Sequence, residues 1–267
     1  MTTADKKPNS TGLQPEHDAP TPPLSEAFVL LDNSSSDGGR SLLFQEPIEV
    51  IVADQPEDVM TAIWRLEAAR GAGHHIAGFL AYELGYVLEP KLAGLMPAAR
   101  RVPLLWFGVY DKPCEMTSNE VAEWLDTHTL SHTYGFSNVA LAWDRDAYLE
   151  RFNLVEEMIR AGDIYQLNLT FKARFELSGS PLAFYRDMRQ RQRVAYGAIV
   201  DTGAATVLSA SPELFIEQHG RMIETRPMKG TAPRAGRLEA DKEERRRLAT
   251  DIKQRAENLM IVDLMRN

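Results

Sequence analysis

Apolar residues along this 267-residue chain fall in short separate runs, and the spacing of those runs changes along its length. The first half is dominated by β-type runs: Phe28–Leu31, Ser41–Phe44, Glu49–Val52, Ile76–Tyr82 and Leu104–Tyr110. Turn-forming stretches such as Asp32–Gly39 bound them, a pattern that predicts antiparallel strands joined by hairpins. A helix interrupts them from Pro56 to Arg70, with proline suited to its first turn and Val59, Ile63 and Leu66 on one face. Residues 1–25 are rich in Pro, Thr, Ser and Asp, nearly free of large apolar side chains, and predict a disordered tail.

After Pro113 the chain reads as a polar surface excursion up to about Ser137. From Asp144 the period becomes helical. Asp144 caps a helix over Arg145–Ala161, its buried stripe is Tyr148, Phe152, Val155 and Ile159, and Gly162 stops it. Asp163–Thr170 alternates as a half-buried strand does. An amphipathic stretch, Pro181–Gln192, leads into a strand over Val194–Asp201. Val207, Leu208, Leu214, Phe215 and Ile216, then Met222 and Ile223, predict two strands about a His219–Gly220 turn. From Leu238 onward one long helix is expected, with Leu248, Ile252 and Leu259 inward. The fold class is α+β, with an amino-terminal region over 26–140 and a second region over 141–267.

Composition narrows the function. Hydrophobic residues at 44% and charged residues at 25% are ordinary for a soluble domain. A net charge of −8 argues against a phosphate-backbone binder, so no nucleic-acid partner is expected. The basic run Arg245–Arg247 follows Glu243 and Glu244 and reads as a solvated helix face. The single cysteine, Cys114, excludes an intrachain disulfide and a multi-cysteine metal site. No apolar run reaches the roughly 20 residues of a membrane span, and no signal-peptide core is present, so a cytoplasmic protein without a membrane partner is expected.

The hairpin carries the chemistry. Glu213 falls on its first strand and Lys229 on its second. A carboxyl and an amine held among apolar strands are open to large pKa shifts, which suits a general acid and a nucleophilic amine. The alternative is an ordinary cross-strand ion pair at a sheet surface. Gly230 permits close backbone approach, and Thr231 has a hydroxyl to donate.

Four stretches resemble the chorismate-utilising enzymes, in family order: Gly162–Thr170, Ser209–Phe215, Thr225–Thr231 and Arg255–Leu264. A weaker likeness covers Leu30, Leu31 and Gly78–Tyr86. The resemblance implies two antiparallel sheets packed face to face with helices outside. Lys229 points within the family to the subgroup that forms aminodeoxychorismate, where anthranilate and isochorismate synthases usually carry alanine. Gln166 stands where the isochorismate type has its general-base lysine, which speaks against water as nucleophile. By resemblance, Lys229 attacks C2 of chorismate, Glu213 protonates the departing C4 hydroxyl, and ammonia adds at C4 and expels the lysine. Gln166, Ser211, Gly230 and Thr231 are the implied substrate contacts. Glu257 is the implied ligand of a Mg²⁺ ion, and a glutamine amidotransferase subunit the implied source of ammonia for a step toward 4-aminobenzoate and folate. Anthranilate synthase and a non-catalytic fragment that only binds a partner are the competing readings. Some relatives carry a tryptophan site near Leu30–Ser35, and these residues leave that open.

The chain stops at Asp263–Asn267 directly after an apolar stretch, without cap, turn or polar tail, and this end reads as a truncation. On that reading the chorismate-binding core is incomplete and the remaining metal and carboxylate-gripping groups fall past Asn267. The chain by itself is then expected to be inactive or nearly so, with uncovered strand edges that lower its solubility.

Overall fold

The computed structural model describes residues 27–35 and 39–266. The expected tail over 1–25 and the centre of the Asp32–Gly39 turn lie outside the described residues. Strands in chain order are β1 (Phe28–Asp32), β2 (Ser41–Gln45), β3 (Glu49–Ala53), β4 (His75–Leu80), β5 (Leu105–Tyr110), β6 (Cys114–Met116), β7 (Tyr134–Leu141), β8 (Ala173–Gly179), β9 (Tyr196–Asp201), β10 (Thr206–Ser211), β11 (Leu214–His219) and β12 (Met222–Arg226). Helices are α1 (Val59–Gly71), α2 (Gly85–Leu88), α3 (Ser118–Thr129), α4 (Arg145–Ala161), α5 (Pro181–Arg191), α6 (Leu238–Thr250) and α7 (Ile252–Arg266). Every strand pairing is antiparallel.

Strand alternation builds four layers. On β5, Leu105 and Val109 face one way and pack with Ile51, Val59, Ala62 and Leu66 beneath α1. Trp106 and Tyr110 face the other way and meet Val29, Phe44 and Val200. That second cluster joins the three-stranded sheet β3-β5-β4 to the five-stranded sheet β10-β9-β1-β2-β6. The outer face of the larger sheet (Phe28, Leu30, Leu43, Ile199) packs on Val121 and Leu125 of α3 and Tyr185 of α5. The two sheets therefore lie face to face with helices outside. The larger sheet takes strands from both sides of residue 140, since β9 pairs with β1.

One buried charge ties these layers together. Asp32, only 2% exposed, ends β1 on the helix side. Arg189 of α5 donates to both its carboxylate oxygens (2.7 and 3.2 Å), and Tyr185 Oη donates to Oδ2 (3.0 Å). The same guanidinium donates to the Ser118 carbonyl of α3 (3.0 Å). Beside it, Ser34 N donates to Val194 O and Val194 N donates back to Ser34 Oγ, both at 2.9 Å.

Three expectations change. The polar excursion after Pro113 holds β6 and α3. A capping box starts that helix: Thr117 N donates to Glu120 Oε2 (2.6 Å) and Glu120 N to Thr117 Oγ1 (3.3 Å). Asp163–Thr170 is irregular, not a strand, for no neighbouring strand pairs with it among the described residues. The long terminal helix breaks at Asp251, whose extended backbone separates α6 from α7 and whose side chain accepts from Gln254 N (2.8 Å). Leu248, Ile252 and Leu259 line an open cavity instead of a core. Among the described residues no helix is long and apolar enough to cross a membrane.

Candidate active site

The hairpin about Gly220 forms, but it is shorter than its apolar run. β10 ends at Ser211 within the five-stranded sheet, and Pro212, with no N–H to give, separates it from β11. Ser211 Oγ donates to Glu213 O (3.1 Å), and Glu213 N donates back to it (3.4 Å), so this hydroxyl holds the turn. Glu213 is exposed on that turn. β11 pairs with β12 from His219↔Met222 to Leu214↔Arg226. Lys229 lies beyond β12, in the irregular Pro227–Thr231 segment. Neither group sits on a strand. Both leave the same end of the ribbon, because Leu214–Arg226 is its last pair.

Lys229 is half-buried and stands where two open cavities meet. One, of about 480 Å³, is walled by Lys229, Gln166, Asp163, Asn168 and, from α7, Ile261 and Leu264. The other, of about 660 Å³, lies along α6 and α7. Glu213 is in the wall of neither. The structure thus brings Lys229 and Gln166 to one cavity and leaves Glu213 on the surface. Asp163, Ile261 and Leu264 escaped the sequence reading, although Gly162–Thr170 and the helical spacing 257, 261, 264 were the signal for them.

Gly230 adopts φ +67°, a left-handed conformation that side chains disfavour, and a Cβ there would meet Gln254 Oε1 at 2.2 Å. Glycine is what lets the Lys229 segment lie on α7. Thr231 lines a smaller cavity with Gln254 and Arg247. Glu257 precedes Ile261 by four residues and shares its helix face, one turn from the Gln166–Lys229 cavity. Its carboxylate lies 3.9 Å from Lys253 Nζ. Among the described residues no three His, Cys, Asp or Glu side chains group to hold a metal ion, so these residues do not by themselves fit a magnesium centre.

The chorismate binding enzyme family matches residues 26–267. The chain belongs to this family. Among chorismate enzymes, it is 44% identical over 131 residues to the aminodeoxychorismate synthase of Streptomyces griseus, covering 48% of this chain and 18% of that one. It is 32% identical over 207 residues to aminodeoxychorismate synthase component 1 of Klebsiella aerogenes, covering 71% and 46%. It is also 39% identical over 125 residues to anthranilate synthase component 1 of Thermus thermophilus, covering 47% and 27%. The matched stretch spans less than half the length of each relative. A crystal structure from Bacillus anthracis, described as a 2,3-dihydroxybenzoate-specific isochorismate synthase, superposes with a TM-score of 0.58 at 18% identity, over 89% of this chain and 58% of that one. That likeness concerns the fold.

Proposed function

We propose that this chain belongs to component 1 of an aminodeoxychorismate synthase and carries the nucleophile for amination of chorismate. The observation that supports it most is Lys229 in one cavity with Gln166, in a member of the chorismate binding enzyme family. In the proposed reaction the neutral Lys229 amine forms a bond to C2, the ring double bonds shift, and the C4–O bond breaks. Glu213 supplies the proton with which that hydroxyl leaves as water. Ammonia then bonds to C4 and the C2–N bond to Lys229 breaks. Glu213 is exposed in the free chain, so the proposal requires the turn at Pro212–Glu213 to close on the substrate. Ser211, Gly230 and Thr231 belong to the proposed site as substrate contacts. Glu257 is the proposed contributor of one carboxylate to a Mg²⁺ ion, which would help hold the substrate carboxylate when bound. The ammonia donor in this proposal is a glutamine amidotransferase subunit in the cytoplasm, and the product feeds 4-aminobenzoate and folate synthesis.

The test is to supply chorismate, ammonium and Mg²⁺ and identify the product by mass spectrometry, with intact-protein mass to trap the Lys229 adduct. Lys229→Ala is expected to abolish the adduct and lower aminodeoxychorismate formation at least about 100-fold, the scale lost with a nucleophile. Anthranilate as product would favour the second reading, which the Thermus thermophilus likeness supports. Calorimetry that detects no chorismate binding would leave only an interaction fragment.

A further inference from the structure

Lys229 sits on a stretch of backbone that nothing bonds. Among the described residues, 227–233 make no hydrogen bond and no ion pair, through peptide or side chain. Pro227 and Pro233 have no N–H to give. A reacting amine nevertheless has to be held to about 0.5 Å, which a loop without anchors does not do.

The side chain that lies against this stretch is Gln254, in the first turn of α7. Its own N–H is fixed on Asp251 Oδ1 (2.8 Å), and its carboxamide fills the space that a Cβ on Gly230 would take. Gln254 is in the wall of the cavity that holds Lys229 and of the smaller one that holds Thr231. It therefore borders the loop on both sides of Gly230. Its Oε1 is buried without a hydrogen-bond partner, and a buried acceptor left unmade is costly. An acceptor without a donor thus faces donors without an acceptor.

We propose that Gln254 is a positioning residue for Lys229: when substrate enters, its Oε1 accepts the backbone N–H of Thr231 and fixes the loop on α7. Oε1 gains the partner it lacks, and the loop gains an anchor two residues from the amine. Gln254 touches no reacting atom. Glycine at 230 is then needed twice, for its φ and because any side chain there would push the acceptor away. The proposal rests on the chorismate reading above and adds a residue outside its reacting groups.

The experiment measures formation of the Lys229 adduct by intact-protein mass over a chorismate series without ammonium, which gives a limiting rate and a half-saturating concentration. Amide exchange at Gly230 and Thr231, read by ¹⁵N NMR with and without chorismate, reports the hydrogen bond itself. Gln254→Met keeps the length of the side chain and loses the acceptor, whereas Gln254→Glu keeps an acceptor. In the parent chain chorismate should slow exchange of the Thr231 amide at least about tenfold. Gln254→Met should lose that protection and lower the limiting rate about fivefold, with half-saturation unchanged. Gln254→Glu should restore both readouts to within about twofold. Position 254 is partly exposed, so folding should survive, which the thermal midpoint checks. A Gln254→Met chain that reacts and protects Thr231 like the parent would sink the proposal while the chorismate reading stands. So would a loss of rate, half-saturation and thermal midpoint together that Gln254→Glu does not repair, since that is packing alone. A parent chain that neither forms the adduct nor binds chorismate would end both.

Discussion

Tyr110 holds an uncomfortable atom in the middle of the molecule. Its ring fills the layer between the two sheets, 5.2 Å from Phe44, and its Oη is buried without a partner among the described residues. Burial pushes the phenol up to about 12 from 10.0. A raised pKa means that the folded state keeps a proton the unfolded chain has already released. Stability from this group is therefore complete below pH 10 and is lost as pH climbs toward 12, by up to about 3 kcal/mol. Tyr110→Phe removes the stranded hydroxyl and keeps the ring. Urea unfolding at pH 7 should show unchanged stability or a gain of about 1 kcal/mol, and the alkaline decline between pH 10 and 12 should flatten. Part of the decline will persist. Burial first, and then the Asp32 carboxylate, hold the Tyr185 phenol far above its usual range as well. A loss above about 2 kcal/mol at pH 7 would mean that the hydroxyl has a partner after all.

At the scale of elements, the tie between β1, α3 and α5 is one guanidinium on one buried carboxylate. Arg189→Met leaves Asp32 charged and unpaired in the core and should cost about 3–5 kcal/mol in urea unfolding. Pairing it with Asp32→Leu should recover most of that loss, because a buried ion pair exchanged for packed apolar groups is often neutral. A single substitution as harmless as the double one would show that the pair is not a tie. The sequence made some elements plain and hid others for physical reasons. α4 was legible because Asp144 caps it (2.8 Å to Ala147 N) and Gly162 ends it at φ +81°. α3 was hidden by its polar composition, although Thr117 and Glu120 marked its start. The strand expected over Asp163–Thr170 failed because alternation describes a face and cannot supply a partner strand. The site divided the same way. Lys229 and Gln166 were visible through their motifs and share a cavity, whereas the placement of Glu213 turned on Pro212 breaking a run that read as continuous.

Over the whole molecule, burial is uneven. Most buried apolar side chains between Phe28 and Val200 fall in three clusters about the two sheets, while beyond β10 only Leu214 and Ile261 among the described apolar residues are buried. The β11–β12 ribbon leaves Phe215 at 76% and Met222 at 71% exposure, and the β7–β8 ribbon leaves Val139 and Leu141 open. A two-stranded ribbon without a covered face is marginal in water, since its hydrogen bonds alone do not offset the backbone entropy of ordering it. Local opening should then follow the burial. Native-state hydrogen exchange should find the amides of β1, β5 and β9 protected close to the global unfolding free energy. Those of β11, β12 and α7 should exchange at least about 100-fold faster, a gap of about 3 kcal/mol. Chorismate should narrow that gap if Lys229 and α7 wall its site, because a ligand bound only to the folded form stabilises it by mass action. Protection in β11–β12 equal to that of β1 in the unliganded chain at low concentration would refute the expectation, since an open ribbon offers its amides to water. Protection that appears only as concentration rises would instead mean that a second copy covers Phe215 and Met222. Phe215→Lys, which makes that face repel itself, is the variant that separates the two outcomes.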